Sequence, residues 1–396
     1  MRSGARAVFT APLAPWLKIG PALLPALFFT APLHAHWVAG WTAAPFPATA
    51  VLAPQDVRDY AGATVRQEIT LNSAGTRLRV RMTNALGTAP LAIVAATVEA
   101  EGHTRPLRFG GRDGVTLPAG AALTSDPVAV PVRQFQRIAV TIRYGDAAVP
   151  AAHLLTVTVR YPDGHSRTGR GPALATGVDV DRPRPGHVIV ALGDSITEGA
   201  RARPESFTGW PEQFAARLAR QPRYRDWTMV NAGIHGNRLL RDGAGPNALA
   251  RFDRDVLAVP GVTEVILLEG INDIGWGNAR PASDGPVTAD DVIAAYRQII
   301  DRAHAAGIRI IGATLPPYRG SVYFTPAGER VRQAVNHWIR SSHAFDAVVD
   351  FERVMADPQE PSRLDPAKDP GDHLHPNDAG HAAMAAAIDP KLLSAR

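Results

Sequence analysis

At 396 residues the chain is longer than one hydrophobic core usually organises, so two folding units are expected. Hydrophobic residues make up 45% and charged ones 20%, globular values that exclude a mainly disordered protein, and the absence of cysteine excludes disulfides, thiolate metal sites and a cysteine nucleophile. The formal charge of +5 falls to +2 without the first thirty-five residues, which hold three cations and no acid, so charge gives no case for a nucleic-acid partner.

Those first residues read as a targeting segment. Arg2, Arg6 and Lys18 precede an apolar run from Ile19 to Leu33 that ends in small residues near Ala35, the pattern of a secretory signal cut after Ala35. Pro21, Pro25 and Pro32 interrupt the run and leave it short for a membrane span. The expectation is an exported protein, periplasmic or extracellular, with no stable membrane association once residues 1–35 are removed.

Residues 36–178 carry the period of strands. Leu78, Val80 and Met82 alternate with charged or polar neighbours, and the same alternation runs through Val65 to Leu71, Ile138 to Ile142 and Leu155 to Val159. Turn clusters such as Asn72-Ser-Ala-Gly75 punctuate the runs, which predicts an antiparallel β-sandwich, jelly-roll-like accessory domain. The Pro-rich, charged stretch 179–186 reads as an inter-domain linker.

From 187 to 396 strands and helices alternate. Val188 to Leu192 form a continuous apolar strand that runs into Gly193-Asp-Ser195, and further strands follow at Trp227–Asn231, Val262–Glu269, Ile308–Thr314 and Ala347–Phe351. Helices are predicted from Pro211 to Arg220, from the capping Thr288 to Ala306, from Pro326 to Ser341 and from Pro376 to Ala387. Buried parallel strands with intervening helices predict a parallel sheet covered on both faces, with ligands at the carboxyl edge of the strands.

Four motifs fall at that edge: Gly193-Asp-Ser195, Asn231-Ala-Gly-Ile-His-Gly-Asn237, Gly270-Ile-Asn-Asp273 and Asp372-His-Leu-His375. Ester hydrolysis needs an activated hydroxyl, a base, a carboxylate to orient the base, and donors aimed at an oxyanion. Ser195, His375 and Asp372 can fill the first three roles. A carboxylate three residues before a histidine can fold back on Nδ1 and leave Nε2 for the serine. The N–H groups of Ser195 and Gly236 and the side-chain amide of Asn272 are candidate oxyanion donors. The alternative reading of Ser195 is a helix cap; His373 and Asp369 are the rivals of His375 and Asp372.

In residue type, spacing and order these four blocks resemble the SGNH (GDSL-type) hydrolases, whose name-giving Ser, Gly, Asn and His match Ser195, Gly236, Asn272 and His375. Gly236 is preferred over Gly233 because it stands five positions after Asn231. The resemblance covers about residues 187–390 and departs from the family name only at Ile196, where the name has leucine. It implies a three-layer α/β/α domain, hydrolysis through an acyl-enzyme, and neither metal nor other cofactor. Residues 37–177 resemble the β-rich domain that precedes the hydrolase in a secreted bacterial branch associated with carbohydrate esterases.

Around this core, His235, Asn237, Arg238 and Trp276 are possible substrate contacts, with loop packing the competing account; Trp210, Tyr318 and Tyr323 share Trp276's aromatic character. Asp194 and Asp273 read as structural. Asp372, His373 and His375 lack a clustered third histidine for zinc. The expected activity is hydrolysis of carboxylic, most of all O-acetyl, esters on a polysaccharide. A lipase or arylesterase acting on longer or aromatic acyl groups is the alternative enzyme, and an inactive carbohydrate-binding protein the alternative of another kind. Oligomeric state is not written in these residues.

Overall fold

The computed structural model describes residues 36–47, 60–146, 155–171, 174–203, 207–279 and 285–393; the leader expected over 1–35 lies outside them. Among the described residues no helix is long and apolar enough to cross a membrane.

The N-terminal region is antiparallel. One sheet has Gly75–Thr83 paired with Ala175–Arg182, which in turn pairs with His36–Thr42. The other is ordered around Thr64–Thr70 and Arg137–Tyr144, with Leu91–Ala100 beyond. The period-two pattern places Leu78, Val80 and Met82 wholly inside, and their arginine neighbours on the opposite face.

The segment 179–186 is not a linker over its first half. Asp179–Arg182 complete the strand Ala175–Arg182, in register with Gly75–Thr83 so that Asp179 lies opposite Arg79. Val178 and Val180 enter the core, and the intervening acids meet arginines that alternate with Leu78 and Val80. Asp179 accepts from Arg79 Nε and Arg81 Nε, both at 3.0 Å. Asp181 accepts from the backbone N–H groups of Thr76 and Arg77 at 2.9 and 2.7 Å, and from Arg77 Nε at 2.8 Å. Local composition suggests solvent exposure; these cross-strand charge partners, a hundred residues away in sequence, bury the strand instead.

The same strands also lie against the C-terminal part of the chain. Ala39 N–H donates to Pro260 O at 2.9 Å, Asn72 Nδ2 to Met229 O at 2.7 Å, and Thr42 Oγ1 to Asn231 O at 2.7 Å. The last two bonds reach the strand Trp227–Gly233, where the second motif begins.

The C-terminal part is a five-stranded parallel sheet ordered Trp227–Gly233, His187–Gly193, Val262–Leu268, Arg309–Ala313 and Ala347–Val349. The chain first builds outward on one side of His187–Gly193 and then returns to its other side. A topological switch therefore falls beside this strand, where open α/β sheets hold their ligands. Ala289–Ala305 shows how locally these helices are specified: Thr288 and Asp291 cap each other, and Val292, Tyr296, Ile299 and Ala303 face inward. The helices Ala248–Phe252 and Ile271–Ala279, and the turn of π-helix Asp253–Leu257, are too short to show a periodic stripe in the sequence.

Candidate active site

Ser195 opens the short helix Ser195–Glu198, whose cap is Asp194: its carboxylate accepts from Ile196 N–H at 2.9 Å. At the other end of the chain, His375 precedes the helix Asp378–Ala387. Its Nε2 lies 2.8 Å from Ser195 Oγ and its Nδ1 lies 2.9 Å from Asp372 Oδ2. Asp372 Oδ1 accepts the backbone N–H groups of Leu374 and His375 at 3.1 and 2.9 Å, so the carboxylate folds back on the imidazole. Burial pushes the Asp372 carboxyl up, but the bonds from the His375 side chain and from these N–H groups outweigh it and hold it well below the usual carboxylate range.

The rival pair is engaged with itself. His373 has a left-handed backbone, φ 59°, its Nδ1 meets Asp369, and its ring packs on Gly320. This turns it to the other side of the loop from His375.

The second motif divides its two glycines by task. Gly233 N–H donates to Asn231 Oδ1 at 2.9 Å, and a Cβ there would stand 2.3 Å from Glu198 N; the bare backbone lets the strand approach the serine helix. Gly236, φ 69°, is the third residue of a turn closed by Asn237 N–H to Ile234 O at 3.0 Å, a position that needs positive φ. Asn272, almost fully buried, spends one amide hydrogen on Asn237 O at 2.8 Å and keeps the other. The Ser195 N–H lies in the first helical turn, where it has no intrahelical acceptor.

Of the expected substrate contacts, His235 lies at the site: its ring stacks on that of His375 with centroids 5.9 Å apart and planes 15° apart, and its Nδ1 is 3.3 Å from Glu198 Oε2. Asn237 and Arg238 are both buried in scaffold. Asn237 donates to Ala244 O and Pro246 O at 3.3 and 2.9 Å, while Arg238 bonds to Asp242 O and lies 5.1 Å over the Trp276 ring. Trp276, half-buried, is held between Arg238 and Tyr323.

Beneath the motifs lies a residue that the sequence does not reveal. Arg251, entirely buried, donates from Nη2 to Gly193 O at 2.9 Å, from Nη1 to Ala232 O at 2.6 Å and from Nε to Asn237 Oδ1 at 2.8 Å. Asp255 lies 3.2 Å and Glu269 3.8 Å from its Nη1 and Nη2. One guanidinium thus ties the first motif to the second and lies beside Glu269, the residue before the third. Burial pushes Asp194 and Asp273 up to about 6, and drives Glu269 well above its ordinary value with help from the nearby Asp194. In the sequence Arg251 is one of two arginines in Arg251-Phe-Asp-Arg-Asp255, with no spacing signal to single it out.

Arg201 is a second unforeseen neighbour. It lies in the loop after the serine helix, with φ 66°, and its Nε donates to Asp372 Oδ2 at 2.9 Å. His381 Nε2 meets Ala200 O at 3.1 Å and steadies this loop; burial pushes that histidine down to about 4, which keeps it neutral.

Among the described residues no group of three His, Asp or Glu is arranged to hold a metal ion. A parallel sheet with a serine at a strand's carboxyl end, a histidine from a late loop and glycine and asparagine from intervening loops is the α/β architecture of SGNH hydrolases. Residues 191–383 match the GDSL-like Lipase/Acylhydrolase family, and the match supports a carboxylic ester hydrolase. Solved structures similar to the chain include a GDSL-like lipase from Bacteroides thetaiotaomicron VPI-5482, 20% identical, covering 52% of this chain and 87% of its own with a TM-score of 0.39. Another is a variant of Axe2, an acetyl xylan esterase from Geobacillus stearothermophilus, 29% identical, covering 51% of this chain and 92% of its own with a TM-score of 0.41. No curated protein matches the chain.

Proposed function

We propose that the chain is an exported serine esterase that removes O-acetyl groups from a polysaccharide. The observation that carries the mechanism is the unbroken line from Ser195 Oγ through His375 to Asp372, at 2.8 and 2.9 Å. In this reading Ser195 Oγ attacks the ester carbonyl while His375 Nε2 takes its proton; the C–O bond breaks as the same proton passes to the leaving alcohol. Water then attacks the acyl-enzyme by the reverse route. Asp372 fixes the imidazole with Nδ1–H toward itself and stabilises the imidazolium. The N–H groups of Ser195 and Gly236 and the remaining amide hydrogen of Asn272 receive the oxyanion.

The acetyl group and the polysaccharide rest on the branch resemblance, on the β-rich region that accompanies the hydrolase and on the leader read over residues 1–35. Ser195→Ala tests the mechanism: cleavage of 4-nitrophenyl acetate should fall by at least about a thousandfold with unfolding unchanged. Full activity in that variant would overturn it. A chain-length series of nitrophenyl esters tests the acyl group, with a maximum at acetate expected. A maximum at octanoate or longer would make the protein a lipase instead.

A further inference from the structure

Around the pair His375 and Asp372, five further acid–base pairs at the mouth of this site are built the same way round, with the acid inside and the base outside. Asp372 has a side chain 26% exposed and its partner Arg201 one 59% exposed. Glu198 is 18% exposed, and Arg170, 3.8 Å away on the strand Ser166–Gly171 of the β-rich region, 57%. The pairs Asp369 with His373, Glu198 with His235, and Asp378 with Arg203 repeat the order. Formally neutral pairs therefore present a cationic outer surface, because the carboxylates are turned into the protein and the guanidinium groups into solvent.

Arg201 is joined to the chemistry through Asp372. Its Nε is committed to Asp372, the carboxylate that holds His375, and among the described residues it is the one nitrogen of this guanidinium that is hydrogen-bonded. The Nη1–Nη2 edge remains for a planar, bidentate acceptor. The backbone supports a fixed placement: Arg201 is the third residue of a turn closed by Ala202 N–H to Gly199 O at 3.1 Å, in a left-handed conformation that a non-glycine residue adopts at a cost.

We infer that the esterase acts on acylated acidic saccharides. Arg201 binds a carboxylate on the sugar that carries the ester, and Arg170 of the β-rich region extends the same cationic track along the chain. This rests on the ester-hydrolase reading above and adds the charge of the alcohol portion to it. It also gives the β-rich region a part in substrate choice.

The test is a matched pair of substrates, mono-O-acetylated methyl glucuronoside and mono-O-acetylated methyl glucoside, assayed by acetate release. Wild-type kcat/KM should favour the glucuronoside by about fivefold at low salt, mostly through KM, and the ratio should approach one as salt rises and screens the pair. Arg201→Gln should bring the ratio toward one at low salt, and Arg201→Lys should restore part of it. A change in the orientation of Asp372 alone would alter both substrates equally and leave the ratio intact. Cleavage of both with no preference overturns the inference and leaves the esterase standing, whereas cleavage of neither, nor of 4-nitrophenyl acetate, overturns the esterase itself. A ratio unchanged in Arg201→Gln overturns the role of Arg201. Faster release of acyl chains from anionic phospholipid vesicles than from the glucuronoside overturns the saccharide class.

Discussion

Arg251 Nη2 donates to the carbonyl of Gly193, two residues before the serine, at 2.9 Å. The same guanidinium reaches Ala232 O and Asn237 Oδ1 in the second motif and faces Glu269, just before the third. The geometry of the site is thus set from below by one buried cation.

Replacing that cation by a shorter apolar chain, Arg251→Met, leaves Glu269 and the carbonyl oxygens of Gly193 and Ala232 buried without this partner, while Asp255 keeps only Arg254. We expect a loss of about 3–5 kcal/mol of stability by chemical denaturation. Activity per folded molecule should fall as well, because the turns that carry Ser195 and Gly236 lose their common anchor.

Asn272→Ala removes one proposed oxyanion donor and the bond to Asn237 O. The expected outcome is a fall in kcat of about a hundred- to a thousandfold for 4-nitrophenyl acetate with KM little altered, as for a group whose bond strengthens only in the transition state. An equal rise in KM with unchanged kcat would show that Asn272 holds substrate instead.

The buried carboxyls give stability a distinctive pH dependence. Asp194 and Asp273 are pushed up to about 6 by burial, whereas an unfolded aspartate titrates near about 4. Between these values the folded chain binds more protons than the unfolded one, so their contribution to stability decreases as pH rises through that window. Asp372 acts in the opposite sense, since its depressed value stabilises above the unfolded value and is lost only as pH falls below the usual carboxylate range. Asp194→Asn, neutral throughout, should flatten the decline between about pH 4 and pH 6 by at most about 1.4 kcal/mol per pH unit, read from urea unfolding at several pH values.

Asp179 joins Arg79 and Arg81 across a strand pair while being itself fully buried. Asp179→Ala should cost about 2–3 kcal/mol of stability, and Asp179→Asn less, since it keeps an acceptor for one guanidinium. Unfolding followed by tryptophan fluorescence would resolve the difference.

What the sequence makes legible here follows the range of the interactions. The parallel strands and the helix Ala289–Ala305 are readable because apolar runs and the Thr288–Asp291 cap are local signals. Ser195, His375 and Asp372 can be picked out because chemistry demands those residue types, and the structure brings the three into hydrogen-bond contact. Asp179–Arg182 mislead because the partners that bury them lie on Gly75–Thr83. Asn237 and Arg238 look like site residues because they adjoin Gly236, but the chain turns both side chains into the scaffold. Arg251 and Arg201 leave no local trace, since each is defined by carbonyls or carboxylates from distant segments.

The strand His36–Thr42, first of the described chain, has an implication for the order of assembly. Its ladder partner is Ala175–Arg182, and Ala39 is bonded to Pro260. A polypeptide emerging from its amino end must therefore keep this strand waiting until nearly half of the chain has been made for its ladder, and about two thirds for the bond to Pro260, so the sheet it belongs to closes late. Truncation anywhere before residue 175 strands the opening segment without its neighbour, so an excised N-terminal fragment has to retain Ala175–Arg182, the very residues at which composition alone would have placed the cut.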